Sequence, residues 1–227
     1  MDWEKMDYEF PGWKKKKNQH GSEFDKQARK RMISGSETLL PTLYKYKAQI
    51  GNSILEIGPF FNPLVEEKNF PKKNICYWEN DNHVIEWLKR RNKNNHKIKP
   101  IYCDLNEIDG ESQMQLKHET EQYFSEIGNK EKYFDAVIIS QVFNYVDYKM
   151  LMLILRNFVN KGGLIFVNNV VDYGLPQFFS KKRPSSIEQT IDTIRETGYE
   201  IIEKHILESP YPEAQESDRL ILVARKE

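Results

Sequence analysis

The stretch Ser53-Ile54-Leu55-Glu56-Ile57-Gly58-Pro59-Phe60-Phe61-Asn62-Pro63 constrains this chain more than any other. A short apolar run that ends in a carboxylate, a glycine and two prolines reads as a buried strand leading into a tight turn. Glu56 falls near the carboxyl end of that strand, the edge where open α/β sheets hold their ligands. Residues 53–63 are therefore expected to form the floor of a ligand site.

The same unit repeats downstream. Asn74–Glu79 reads as a second strand and Lys99–Cys103 as a third, followed by Asp104. Three successive strands thus end in Glu56, Glu79 and Asp104. The alternative use for acids in such places is to cap helices. Phe61–Glu67 is expected to start a helix with Pro63 in its first turn. Asp81 precedes a helix over Val84–Arg91 whose last turns carry cations, as the helix dipole prefers. Gln113–Ile127 reads as a charged surface helix within an insertion, and Phe134–Ser140 as the fourth strand. Gln141–Asp147 is a loop. An apolar helix then runs from Met150 to Val159 and stops at Lys161-Gly162-Gly163. Leu164–Asn168 is the fifth strand, and residues 170–185 form a loop rich in aromatics and prolines. Ser185-Ser186 caps a helix over Ile187–Thr197 that Gly198 ends. Tyr199–Leu207 and Arg219–Arg225 are joined by a loop with Pro210 and Pro212. They are expected to pair as an antiparallel hairpin at one end of an otherwise parallel sheet.

Ahead of the first strand, Trp3, Tyr8, Phe10 and Trp13 are scattered among charges, which suits an arm folding back over a ligand. Ser22–Arg31 suits a helix. Ser36 is positioned to cap another, which carries Leu39, Leu40, Leu43 and Tyr44, with Pro41 in its first turn. The expected division is an N-terminal arm with helices over residues 1–50, packing on or over the site, and a ligand-binding domain over 51–227. The 34 basic and 34 acidic residues balance, so no global field attracts a polyanion. Lys14–Lys17 and Lys181-Lys182-Arg183 read as solvated surface charge. Cys76 and Cys103 fit neither a disulfide framework nor metal-ligand spacing, and suit a reducing compartment. With no signal peptide and no membrane span, the expectation is a cytoplasmic protein without a metal. Oligomeric state is not legible.

A dinucleotide site needs Gly-x-Gly-x-x-Gly so that the backbone can approach a pyrophosphate. The corresponding positions here are Gly58, Phe60 and Pro63, and Phe60 would crowd a pyrophosphate. Nicotinamide and flavin dinucleotides are disfavoured. Leu55-Glu56-Ile57-Gly58-Pro59 instead resembles the first motif of the class I S-adenosylmethionine-dependent methyltransferases. Phe134–Ser140 with Gln141–Asp147 is similar to that family's fourth-strand segment, and Lys161-Gly162-Gly163 to its lead into strand five. The resemblance covers about residues 50–227. It implies a three-layer α/β Rossmann-like sandwich with a seven-stranded, mostly parallel sheet and an antiparallel last strand.

It also implies a cofactor, S-adenosylmethionine, and roles by position. Gly58, with the backbone at Pro59 and Phe60, would pass close to the methionine part. Glu56 would hold the turn and, through water, the amino group. Glu79 would accept from the ribose hydroxyls, with Asp81 the alternative. Asp104 would bind the adenine amine, and the Leu105 amide would meet the ring. Ser140 and Gln141 would lie near the transferring methyl. The segment after the fourth strand lacks Asp/Asn-Pro-Pro-Tyr, and neither cysteine follows a proline, so nucleobase methylation is disfavoured. Asn144 and Tyr145 are the candidate catalytic residues. Asn168 and Tyr173 are candidates for an aromatic-lined pocket suited to a small organic acceptor. The expectation is an O- or N-methyltransferase acting on a small molecule. The alternatives are a non-catalytic partner-binding protein of the same fold and an RNA methyltransferase.

Overall fold

The computed structural model describes residues 34–105, 110–130, 132–172, 180–210 and 216–227. Its strands are β1 (Ser53–Ile57), β2 (Asn74–Glu79), β3 (Ile98–Tyr102), β4 (Phe134–Ser140), β5 (Val159–Val170), β6 (Tyr199–Leu207) and β7 (Arg219–Lys226). Its helices are α1 (Leu40–Lys45), α2 (Asn82–Arg91), α3 (Gly110–Glu126), α4 (Tyr148–Leu155) and α5 (Ile187–Glu196). The strands form one sheet of order β3-β2-β1-β4-β5-β7-β6. All neighbours pair in parallel except the two pairs made by β7, as the expected terminal hairpin requires.

Strand alternation builds two cores from one sheet. Successive side chains on a strand point to opposite faces. On β2, Cys76 and Trp78 enter the first cluster while Ile75 and Tyr77 enter the second. The first face is covered by α3, α4 and α5 through residues such as Phe124, Leu151 and Ile194. The second is covered by α1, the β1–β2 connection and α2, through Leu43, Phe61, Val65 and Leu88. The result is the expected three-layer arrangement. Leu39, Leu43, Tyr46 and Ile50 lie in the second core beside Ile54 and Phe166. Residues 39–50 thus share a core with the sheet. The expected helix over 22–31 lies outside the described residues.

Local sequence explains most elements. Asp81 caps α2, its carboxylate accepting from the His83 amide at 2.8 Å, and Lys89, Arg90 and Arg91 fill the last turn. Ser186 caps α5 by accepting from Gln189 N at 3.0 Å. Pro41 sits in the first turn of α1, although Leu39 and not Ser36 is its cap residue.

Two expectations fail for physical reasons. Residues 58–73 contain no helix; turns carry Phe61, Leu64, Val65 and Phe70 into the core instead. Pro59, Pro63 and Pro71 remove amide donors that a helix would use. The freed groups find side-chain partners: Leu64 N and Val65 N donate to Glu56, and Tyr77 Oη donates to Val65 O. Gly162-Gly163, read as a helix stop, lies inside β5. Helix α4 ends at Leu155, and β5 bulges between the pairs Phe134↔Val159 and Ala136↔Leu164. Gly162 takes the left-handed φ of 77° that the bulge needs. A Cβ on Gly163 would sit 2.8 Å from Val159 Cγ1 and 2.9 Å from Asn160 O. Gly163→Ala is expected to destabilise the protein by about 1–3 kcal/mol, read as a lower urea midpoint at unchanged slope. A midpoint equal to that of the parent would show that the bulge relaxes freely.

Candidate functional site

Strand order reverses between β1 and β4, and the loops leaving their carboxyl ends meet there. Gly58 has φ 60° and Phe60 φ 50° after β1, and Gln141 has φ 60° after β4. A Cβ on Gly58 would approach Val142 Cγ2 to 3.0 Å, so the glycine lets the two loops close on each other. A non-glycine residue in the left-handed region costs about 1–2 kcal/mol. Such residues persist where surrounding contacts over-determine them, often at ligand sites. Phe60 is held by its amide, which donates to Glu79 Oε2 at 3.1 Å, and by its ring, packed edge-on to Phe61 at 4.9 Å between centroids. Gly58 N donates to Trp78 O at 2.8 Å. Phe60 thus takes the backbone geometry that a glycine would supply. Pro59 between them is buried, and its carbonyl accepts from Asn62 N at 3.1 Å.

The carboxylates divide into different jobs. Glu56 is buried and accepts from Leu64 N at 2.8 Å and Val65 N at 3.0 Å. Burial pushes its pKa up to about 8 against the pull of those two amides, with Glu66 adding a small push in the same direction. Its position makes it the tie that holds the β1–β2 connection. Glu79 is 4% exposed. Its Oε1 accepts from Asn80 N at 2.8 Å and Asp81 N at 3.0 Å, while Oε2 accepts from Phe60 N. Burial raises its pKa, and the three amides counter the rise. A carboxylate offers about four acceptor positions, so one remains on the Glu79 group. Asp81, the alternative for that role, spends one oxygen on capping α2. Asp104 and Leu105 follow β3 at the same edge of the sheet, and Cys103 N donates to Glu79 O at 2.9 Å, which keeps the β2 and β3 ends together.

The β4 and β5 ends form a second polar group. Asn144 is buried, its Nδ2 donating to Val170 O at 2.6 Å and its Oδ1 accepting from Asn169 Nδ2 at 3.3 Å. Tyr145 is partly buried against the first core, and burial pushes its hydroxyl up to about 12, so it remains protonated at neutral pH. Gln141 is buried, with its amide donating to Asn168 O at 2.6 Å. Asn168 is fully buried; its Nδ2 donates to Gly35 O at 2.8 Å and to Ser140 Oγ at 3.2 Å. Its Oδ1 accepts from Arg219 Nη1 at 2.8 Å. Tyr173 lies outside the described residues.

Reading the sequence missed Arg219, which is buried on β7 with Glu216 at 3.6 Å. It also missed Gly35, where a Cβ would lie 2.5 Å from Arg219 Nη2. A cation opening the apolar run Leu220–Ala224 was the available signal. Cys76 and Cys103 are buried free thiols, and burial raises both well away from reactivity at neutral pH. Among the described residues no group of three or more His, Cys, Asp and Glu side chains is placed to hold a metal, and no helix is long and apolar enough to cross a membrane.

No protein-family model and no curated protein matches the sequence. Solved structures match the fold. The chain is similar to the [4+2]-cyclase SpnF, with 15% identity, 84% of this chain and 81% of that chain covered, and a TM-score of 0.61. It is similar to the Burkholderia thailandensis 1,6-didemethyltoxoflavin-N1-methyltransferase with bound 1,6-didemethyltoxoflavin and S-adenosylhomocysteine, with 12% identity, coverage of 90% and 84%, and a TM-score of 0.60. It is also similar to the N-methyltransferase NodS from Bradyrhizobium japonicum in complex with S-adenosylhomocysteine, with 13% identity, coverage of 90% and 88%, and a TM-score of 0.56.

Proposed function

We propose that this chain, which has the fold of the class I methyltransferases, is an S-adenosylmethionine-dependent enzyme that methylates an O or N atom of a small-molecule acceptor. One observation carries the reading: Glu79 sits at the end of β2 with its carboxylate bonded to the Gly58–Phe60 turn, at the edge where Asp104 also lies. Two of the structural neighbours hold S-adenosylhomocysteine.

The residues present fit that cofactor. Glu79 retains an acceptor position for a ribose hydroxyl, and Asp104 offers acceptors for an exocyclic amine. The turn at Gly58, Pro59 and Phe60 lacks the further glycines that a pyrophosphate demands, which a methionine tail does not. When bound, S-adenosylmethionine supplies a methyl group on a sulfonium that already carries a good leaving group. The protein's part is then orientation and exclusion of water. Gly58 and Gln141 bring the β1 and β4 loops together, and Ser140 stands beside them. Asn144 and Asn168 are assigned to positioning, because their amides are spent on backbone and on Arg219. Tyr145, protonated at neutral pH, would donate a hydrogen bond to an acceptor rather than remove its proton. The balanced net charge favours a neutral acceptor over nucleic acid, and the buried free thiols suit the cytoplasm.

Titration calorimetry with S-adenosylhomocysteine is expected to show saturable binding. Glu79→Ala should weaken it by about 2–3 kcal/mol, roughly thirty- to a hundred-and-fiftyfold, because a ribose hydroxyl and three amides lose their acceptor. Absence of binding to both S-adenosylmethionine and its demethylated product would sink the proposal. A second reading, the fold used without methyl transfer, draws on the cyclase among the neighbours. Turnover of S-adenosylmethionine on any acceptor excludes it.

A further inference from the structure

A second concave surface lies at the opposite end of the sheet from Glu79. It is a cleft of about 860 Å³ between the first half of α3, the residues entering β4, the turn between α4 and β5, and the end of β7. That size lies within the range of small-molecule sites, about 300–1,000 Å³. None of its lining residues belongs to the candidate cofactor site. Lys117, Lys132, Arg156, Lys161 and Lys226 line it, against one acid, Glu121. Glu121 faces two of the lysines, at 4.0 Å from Lys117 and 3.6 Å from Lys132, so it neutralises only part of the set. Lys226 is fixed by donating to Arg156 O and Val159 O, each at 2.6 Å. Burial, and to a lesser degree the nearby Arg156, lowers its pKa.

An independent observation points the same way. Thr120 lines the cleft, is 0% exposed, and its hydroxyl has no hydrogen-bond partner among the described residues. A buried hydroxyl left unpaired costs about 1–3 kcal/mol, so such groups ordinarily find one. Tyr133, 43% exposed, adds a ring at the rim. We infer that this cleft binds a small anion with closely spaced phosphates, gripped by Lys117, Lys132, Arg156 and Lys161, with the Thr120 hydroxyl reached as the side chains over it move aside. Compact cations suit phosphate oxygens, and a threonine hydroxyl donates to them.

The probes are inorganic tripolyphosphate and ATP, titrated into the full chain at low and moderate salt. Saturable binding of tripolyphosphate is expected. ATP binding of equal strength would place recognition in the phosphates alone, and stronger binding would add the Tyr133 ring; either supports the site. Lys117→Gln with Lys132→Gln should weaken tripolyphosphate about tenfold or more. The control pair Lys89→Gln with Arg90→Gln, on the exposed face of α2, should leave it within about twofold. Thr120→Val gives the sharper readout. It should keep or raise the thermal midpoint of the free protein, since an unpaired hydroxyl is removed, yet weaken tripolyphosphate severalfold. Binding of S-adenosylhomocysteine should be unchanged in every variant, which separates this site from the cofactor site. No saturable binding, equal loss in the control pair, or a single-stranded RNA that binds far more tightly than ATP would overturn the inference.

Discussion

Replacing Asn168 by alanine is expected to cost the fold about 2–4 kcal/mol, because it takes from a buried cation its shortest hydrogen bond and leaves a backbone carbonyl without its donor. Arg219 is 4% exposed, and its bond to Asn168 Oδ1 at 2.8 Å is shorter than its 3.6 Å approach to Glu216. The same substitution leaves Gly35 O without the Nδ2 donor that reaches it at 2.8 Å. The loss should be felt at both ends of the network. On one side lies the β5–β7 pairing, in which Asn168 sits opposite Ile221 and Arg219 opposite Val170. On the other lies the segment leading into α1. Urea denaturation gives the magnitude, and limited proteolysis near residues 34–46 reports release of the segment. Asn168→Asp separates the two contributions: it keeps an acceptor for Arg219 but loses the donor to Gly35 O, and should recover part of the stability. A variant Asn168→Ala with parental stability and a raised acceptor KM would instead return Asn168 to the substrate pocket.

Asn168 also shows where reading the sequence stops. Its place near the carboxyl end of β5 was legible, because an apolar run closing in Asn168-Asn169 marks a strand end, although the strand runs on to Val170. Its partners were not. Gly35 and Arg219 lie 133 and 51 residues away in sequence, and only the sheet order brings them together. The same distinction runs through the fold. Strand ends, the caps Asp81 and Ser186, and the terminal hairpin follow from local residue types and spacings. The β1–β2 connection does not. Pro63 is as much at home in the first turn of a helix as in an irregular turn, and what decided between them was Glu56. Its carboxylate reaches across to two amides, and Tyr77 takes the Val65 carbonyl. Phe60 was legible as a departure from glycine. Its left-handed backbone was not, because that depends on the Glu79 oxygen that accepts its amide. The doublet Gly162-Gly163 serves a helix stop and a strand bulge equally well, and register with β4 settles which.

Stability is expected to fall as pH rises through neutrality, with Glu56 the main cause. Its pKa in the folded protein is about 8, against an ordinary 4.5, because burial opposes the charge more than two amides favour it. The folded state therefore keeps the proton at pH values where the unfolded chain has released it. Between about 4.5 and 8 the folded protein binds more protons, and each step up in pH lowers its stability. The contribution is fully present below the unfolded value and is lost as pH rises through the folded one. Across the window the loss is on the order of 5 kcal/mol. Glu79 shifts in the same direction from the same cause and adds to it. On the acid side Glu203 works in the opposite sense. Hydrogen bonds from Lys45, His205 and Tyr46 hold it down to about 2, so its contribution disappears only as pH falls through that value. Urea midpoints measured at about pH 5, 7 and 9 should therefore decline at each step, from the first to the last. Glu56→Gln is the diagnostic variant. Its amide nitrogen faces a backbone N–H donor, which should cost about 1–3 kcal/mol at the lowest of these pH values. It cannot ionise, so its midpoint should change far less with pH and should meet or overtake the parent at the highest. Parallel curves for parent and variant would mean that Glu56 is already charged near neutrality, and that its two amide bonds outweigh its burial.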